Sequence, residues 1–217
     1  MKSCLLTLDE IETGLEKEFA KLEPEISGYR LRKPGLSMSQ LQDVETALET
    51  NLPDSFKRMV RAYDFGDLTV GGVFFGQTGN YGKFLFDQNG KRHEYPWWGA
   101  AVRPRQYLMI AGSDGYVILL HSDDGKISAY LRAGRWSENA VISADFESFL
   151  RACGTVYLKR PQTKDRAEFV ESIMRSAGGA TESKFWTELI VGRPGLDLRV
   201  SKDAPHLRGD SIRARTS

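Results

Sequence analysis

The feature that most constrains this chain is a change of period. Apolar residues recur at helical intervals up to Gly66 and then, from Leu68, at intervals of two in a stretch rich in Val, Phe, Tyr and Gly. A helical block followed by a strand block calls for an α+β fold, a mainly antiparallel sheet with N-terminal helices and a following amphipathic helix. The first helix is predicted over about Leu8 to Leu22: Thr7 and Glu10 have capping-box spacing, Ile11, Leu15, Phe19 and Leu22 follow on one face, and Pro24 stops it. Ser37 and Gln40 cap a second helix carrying Leu41, Val44 and Leu48. Pro53 opens a third, on which Phe56, Met59, Val60 and Tyr63 repeat at i, i+3, i+4 and i+7.

Five strands are expected, over Leu68 to Phe75, Tyr81 to Asp87, Tyr107 to Ala111, Tyr116 to His121 and Lys126 to Leu131. Asn89-Gly90 and Asp124-Gly125 read as hairpin turns, since both residue types tolerate the positive φ of a type I′ turn. Ser143 is positioned to cap a fourth helix bearing Phe146, Phe149 and Leu150, with Gly154 at its expected end. A further helix over about Asp165 to Ala177 and a short apolar segment, Lys184 to Val191 with Phe185 and Trp186, read as an appended unit. Beyond Gly192 the residues are polar and basic, and low order is expected. The division expected is therefore an α+β domain over 1–160 and a helical extension with a flexible tail over 161–217.

With 217 residues, 41% of them apolar, the chain is long enough to bury roughly 70% of the surface its unfolded form exposes. Thirty Lys and Arg against twenty-nine Asp and Glu supply no bulk attraction for nucleic acid, so no direct nucleic-acid partner is expected. Cys4 and Cys153 stand far apart and in no metal-ligand spacing. The apolar run after Lys2 is too short for a signal-peptide core, and no eighteen apolar residues run together. A cytoplasmic protein with no membrane partner is the expectation.

Catalytic chemistry finds little to work with. His93, His121 and His206 are the whole imidazole inventory, none in an HExxH pattern, and neither a GxSxG elbow nor a GxxxxGK[ST] loop occurs. The glycines at 71, 72, 76, 79 and 82 lack the strand-glycine-helix order of a phosphate cradle and read as turns and bulges. Asp114, Asp123 and Asp124 read as hairpin-turn acids. No enzyme activity, metal or cofactor is expected. Trp97-Trp98, preceded by Tyr95-Pro96, is the pattern left over: adjacent residues in extended chain point opposite ways. Either one indole is exposed at an interface, or both fill the core under a loop. Tyr95, Trp97, Trp98 and Tyr116 are the candidate partner-binding residues.

Leu52-Pro53-Asp54-Ser55-Phe56 and Tyr63-Asp64-Phe65-Gly66, followed by the turn at Gly112-Ser113-Asp114-Gly115, the Asp124-Gly125 hairpin and the helix Asp145 to Cys153, resemble the SUKH superfamily over about Leu36 to Cys153. In place of the Asn-Gly-Gly common in that family after helix three, this chain has Asp64-Phe65-Gly66. The resemblance implies a SUKH-like α+β core and a role without catalysis. Bacterial members are chiefly immunity proteins that bind and neutralise a toxin, and fungal relatives regulate cell-wall assembly. The expectation is a cognate protein toxin, a nuclease being one possibility, bound by occlusion through a sheet face or cleft. The alternative is a regulatory or scaffold protein that recruits another protein partner through its C-terminal helices.

Overall fold

The structure, a computed structural model, describes residues 4–76, 79–90, 96–159, 165–181 and 183–191. Three helices lead: α1 (Leu8–Phe19), prolonged by a 3₁₀ turn at Ala20–Leu22, α2 (Met38–Leu48) and α3 (Asp54–Ala62). Both predicted capping boxes form. The Glu10 N–H donates to the Thr7 hydroxyl (3.2 Å) and the Thr7 N–H to the Glu10 carboxylate (2.7 Å); Ser37 and Gln40 repeat the exchange.

The sheet has six strands in the order of the chain, every neighbour antiparallel: β1 (Thr69–Val70), β2 (Val73–Phe74), β3 (Tyr107–Ser113), β4 (Tyr116–His121), β5 (Ile127–Leu131) and β6 (Ala140–Ser143). The α+β class read from the change of period is thus the architecture found. The single strand expected over Leu68 to Phe75 is two short ones, because Gly71 and Gly72, both at positive φ, turn the chain back between them. Asp124-Gly125 lies in the connection from β4 to β5, as expected, but only Gly125 has a positive φ and residues 122–126 separate the strands, so the hairpin is a longer one than the type I′ turn expected. The sheet's two outer edges are occupied: the Thr69 N–H donates to the Gly28 carbonyl (2.7 Å) beside β1, and the Thr181 N–H to the Val141 carbonyl (2.9 Å) beside β6.

The segment Tyr81 to Asp87, expected as a strand, is a helix, α4 (Tyr81–Asn89), and Asn89-Gly90 closes it instead of forming a hairpin turn. Its apolar residues fit both periods over so short a run. Asn80, whose side chain accepts from the Lys83 N–H (2.9 Å), starts the helix, and Tyr81, Phe84, Leu85 and Asn89 bury one face of it. Tertiary hydrogen bonds settle the choice. The Tyr81 hydroxyl donates to the Ile110 carbonyl (2.9 Å) at the point where β3 carries a bulge. Beyond the end of β2 the Asn89 carboxamide takes the place of a neighbouring strand, accepting from the Met109 N–H (2.7 Å) and donating to the Met109 carbonyl (2.9 Å).

The helix after the sheet, α5 (Phe146–Lys159), is capped by Asp145, whose carboxylate accepts from the Ser148 N–H (2.7 Å); Ser143, expected as the cap, lies in β6 and donates to the Ala177 carbonyl (3.1 Å). Gly154 does not end α5. It sits inside the helix because α1 crosses it there, and a Cβ on Gly154 would lie 2.7–2.9 Å from three atoms of Ile11. Gly→Ala inside a helix ordinarily stabilises by about 1 kcal/mol. Here Gly154→Ala is expected to destabilise by about 1–3 kcal/mol through overpacking. A double-mutant cycle with Ile11→Ala, read by urea denaturation, should show strong coupling, since the smaller residue 11 removes the clash.

Two further helices, α6 (Arg166–Ala177) and α7 (Lys184–Val191), occupy the positions expected for the extension, and their buried residues Val170, Ile173, Phe185 and Trp186 join the same apolar cluster as the sheet. Residues 4–6 lie between α5 and α6. The Leu6 N–H donates to the Thr155 hydroxyl (2.9 Å), the Cys4 N–H to the Ser176 hydroxyl (3.2 Å), and Arg151 to the Leu6 carbonyl (2.9 Å). The tail after residue 191 lies outside the described residues.

Candidate protein-binding site

Both faces of the central strands are covered, which is why β3 and β4 read as near-continuous apolar runs rather than alternating ones. On one face lie Phe146 and Phe149 of α5 and Phe185 and Trp186 of α7; Phe149 packs against Phe185 and Trp186, and Trp186 donates to the Ile142 carbonyl (3.0 Å). The opposite face carries a layer of aromatic rings built from the loops around Trp97 and Trp136.

The four residues singled out in the sequence divide between these faces. Trp97 and Trp98 are each 8% exposed, with rings edge to face at 5.3 Å. The Trp97 indole donates to the Asn89 side-chain oxygen (3.0 Å), and the Tyr130 hydroxyl donates to the Trp97 carbonyl (2.6 Å), pinning the loop across the sheet from α4 to β5. Tyr116, 5% exposed, stands on the other face with its ring edge to face against Phe185 at 5.2 Å. Of the two readings of the tryptophan pair, burial under a loop is the one found: these three side chains offer little surface, because each fills space between the sheet and the element covering it. Tyr95, like His93 and His206, lies outside the described residues.

Two further rings on the Trp97 face reach solvent, and neither stands out in the sequence. Trp136 and Tyr107 are half-buried and touch each other (5.8 Å between centroids), Trp136 also meets Trp97, and Tyr107 meets His121 (5.0 Å). Only their placement in a loop and at a strand end, next to Gly134 and Arg135 or Gln106, hinted at it. His121 shares a hydrogen bond with Asp124 (2.9 Å) in the β4–β5 turn. Partial burial works to raise the Asp124 carboxyl, but hydrogen bonds from the Lys126 side chain and backbone and from His121 outweigh it and pull the group down to about 2. A carboxyl lowered in the folded state stabilises fully above its ordinary range near 3.8 and loses that contribution as pH falls through about 2. Asp124→Asn is therefore expected to flatten the acid limb of the stability profile between about pH 4 and 2, measured by urea midpoints across that range.

On the Tyr116 face the cover is incomplete. A cavity of about 440 Å³ opens where β4 begins, β5 ends and α7 starts. Tyr116 and Phe185 wall it, Ala129 and Ile142 line it, and the exposed Glu138 and Lys184 stand at its border. Among the described residues no three His, Cys, Asp or Glu side chains stand together as a metal-ligand set. The Cys153 thiol is fully buried, and that burial pushes its pKa up, away from the reactive thiolate. The geometry is that of a packed core with a shallow apolar opening and a fringe of half-exposed aromatics.

The SMI1 / KNR4 family (SUKH-1) matches residues 35–152, more than half of the chain. The chain belongs to this family. The α+β core and open antiparallel sheet agree with that SUKH membership, and no curated protein matches the chain. The SUKH-1 segment begins just before α2 and stops within α5, so α1, α6 and α7 lie outside it. Most of the cavity wall belongs to the family core, while Lys184 and Phe185 come from the helix added after it. SUKH-1 membership fits a toxin-immunity or regulatory role, and no described helix is long and apolar enough to cross a membrane.

Proposed function

We propose that this protein is an immunity protein that acts in the bacterial cytoplasm by binding a cognate protein toxin, such as a nuclease, and occluding its working surface. The observation that carries the reading is the SUKH-1 match over residues 35–152. It is supported by the half-exposed aromatics at Trp136 and Tyr107 and by the apolar opening beside α7, features suited to gripping another protein. Neutralisation by binding needs no catalytic group, only affinity and the right placement of bulk.

The test is co-expression in a sensitive host with the toxin encoded next to this gene. Growth restored by the intact chain, together with co-purification of the pair, is the expected result; growth arrest unaffected by the chain would overturn the reading. Deletion of the C-terminal helices does not cleanly separate this reading from a scaffold protein that recruits partners through them. Those helices bury Phe185 and Trp186 against the family core, so their removal would expose Phe149 and Tyr116 and compromise the whole molecule. Point substitutions on exposed positions of α6 and α7 are the sounder discriminator.

A further inference from the structure

The half-exposed rings on the Trp97 face end at two acceptors that share no donor. Tyr107 and His121 stand opposite each other on β3 and β4 with rings 5.0 Å apart, and Trp136 lies against Tyr107 at 5.8 Å. The tautomer of His121 follows from its neighbour. Its Nδ1 is 2.9 Å from the Asp124 carboxylate, which also accepts from the Lys126 backbone N–H (3.0 Å) and pairs with the Lys126 ammonium (2.7 Å). A carboxylate only accepts, so Nδ1 carries the ring proton, and in the neutral imidazole Nε2 is left as an acceptor. That nitrogen stands 3.9 Å from the carboxylate of Asp123, whose side chain is 76% exposed. Lone pairs face lone pairs there, and among the described residues no cation other than His121 pairs with Asp123. Nearby cations are engaged elsewhere: Arg103 donates to the Leu48 and Tyr107 carbonyls, Arg105 pairs with Glu49 (3.0 Å) and Lys126 with Asp124. Arg135, next to Trp136 in the chain, is exposed and is not ion-paired with Asp123.

Two acceptors without a donor, beside half-exposed aromatic rings, fit a flat cation with several N–H groups. A metal ion would want a third ligand, and the described residues hold no set of three. An ammonium is a compact, strongly hydrated point charge, whereas a guanidinium is planar, aims its N–H groups in fixed directions and stacks on aromatic faces. We infer that Asp123, His121, Tyr107 and Trp136 form a docking site for an arginine side chain of a protein partner. One guanidinium N–H goes to the Asp123 carboxylate, another to His121 Nε2, and the guanidinium plane lies against the exposed rings. The inference rests on the protein-binding reading above and names the partner's chemistry. The backbone that carries the acceptors is set before a partner arrives, since the Gly125 N–H donates to the His121 carbonyl and the His121 N–H to the Lys126 carbonyl (both 2.9 Å). Arginine is among the residues that anchor interfaces, and an exposed carboxylate steers it to the rings. The site is also sensitive to pH. An imidazole that takes up a second proton between about pH 8 and 5 turns Nε2 into a donor for Asp123, which closes the pair on itself and repels an arriving cation.

Full-length, uniformly nitrogen-labelled protein is studied by NMR, with the His121 ring signal identified by its absence from His121→Gln. At pH 8 the ring should be neutral with its proton on Nδ1. Titration with acetyl-Gly-Arg-Gly-amide should then produce saturable shifts at the His121 ring and the Trp136 indole. The lysine peptide should bind several-fold more weakly and the neutral citrulline peptide roughly tenfold more weakly. Asp123→Asn, an exposed substitution outside the packed core, should bring the arginine peptide close to the citrulline level, and lowering the pH from 8 to 5 should weaken the arginine peptide several-fold in the wild type. A ring that is charged at pH 8 or protonated on Nε2, shifts that do not saturate, or equal affinity for the arginine and citrulline peptides overturns the proposal. Capture of the neighbouring toxin separates it from the immunity reading. If the wild type captures the toxin and Asp123→Asn captures it equally well, the arginine site is not the anchor and the proposal falls. If the wild type captures no toxin yet the peptide series behaves as stated, the immunity reading falls and the site stands.

Discussion

Asn89→Asp is expected to destabilise the protein by about 3–6 kcal/mol at pH 7, although it changes one atom type and almost no volume. The Asn89 carboxamide is 1% exposed and makes four hydrogen bonds. It donates to the Leu85 and Met109 carbonyls (2.8 and 2.9 Å) and accepts from the Met109 N–H and the Trp97 indole (2.7 and 3.0 Å). A carboxylate can accept the last two but cannot donate, so the Met109 carbonyl would lose its donor, and the Leu85 carbonyl, which keeps the helical Asn89 N–H, would face a negative charge. The orphaned carbonyl costs about 1–3 kcal/mol, and the buried, repelled charge adds to it. Protonation restores one donor. Burial raises the introduced carboxyl's pKa in the folded state, so the deficit relative to wild type should shrink as pH falls from 7 towards 4. Urea denaturation at several pH values checks both points, and a loss below about 1 kcal/mol at pH 7 would mean that the carboxamide does not hold α4 to β3.

Trp186→Ala should cost about 3–5 kcal/mol, the range for emptying a buried aromatic site. Trp186 is fully buried, packs against Phe149 and Phe185 and donates its indole N–H to the Ile142 carbonyl of β6. Alanine would remove the apolar contacts and leave that carbonyl without its donor. Loss on this scale consumes much of the 5–15 kcal/mol by which a domain is ordinarily stable. A single cooperative transition shifted to lower denaturant would show that α7 unfolds with the sheet. A separate early transition, with the main midpoint unmoved, would instead make α6 and α7 an independent appendage.

How much of the molecule could be read from the residues depends on where their preferences were local. The capping boxes at Thr7 and Ser37 act within one helical turn, and both helices start where those residues say. The Asp124-Gly125 turn is equally local, since Gly125 supplies the positive φ by itself. The segment Tyr81 to Asp87 reads as a strand because its apolar spacing serves either period, and the bonds that select the helix run to Ile110, Met109 and Trp97, eight to twenty-nine residues away. Gly154 reads as a stop for a related reason: its lack of a side chain answers to Ile11 on another helix, not to the chain around it. In the candidate site, Trp97 and Trp98 carried a signal of large apolar area, but which face they would cover was set by the Asn89 bond and the Tyr130 hydroxyl.

The sequence by itself determined the order of helical and extended segments, the two capped starts, the hairpin at Asp124-Gly125 and the resemblance to the SUKH superfamily. These rest on backbone preference and periodicity within a few residues. Only the tertiary structure decided that α4 is a helix, that β6 completes the sheet, that the tryptophan pair is buried, and that α7 covers one face while leaving an opening beside Tyr116. Each of those depends on contacts between residues distant in the chain. Where local preference is nearly neutral, the contacts that satisfy buried polar groups and fill the core choose the outcome.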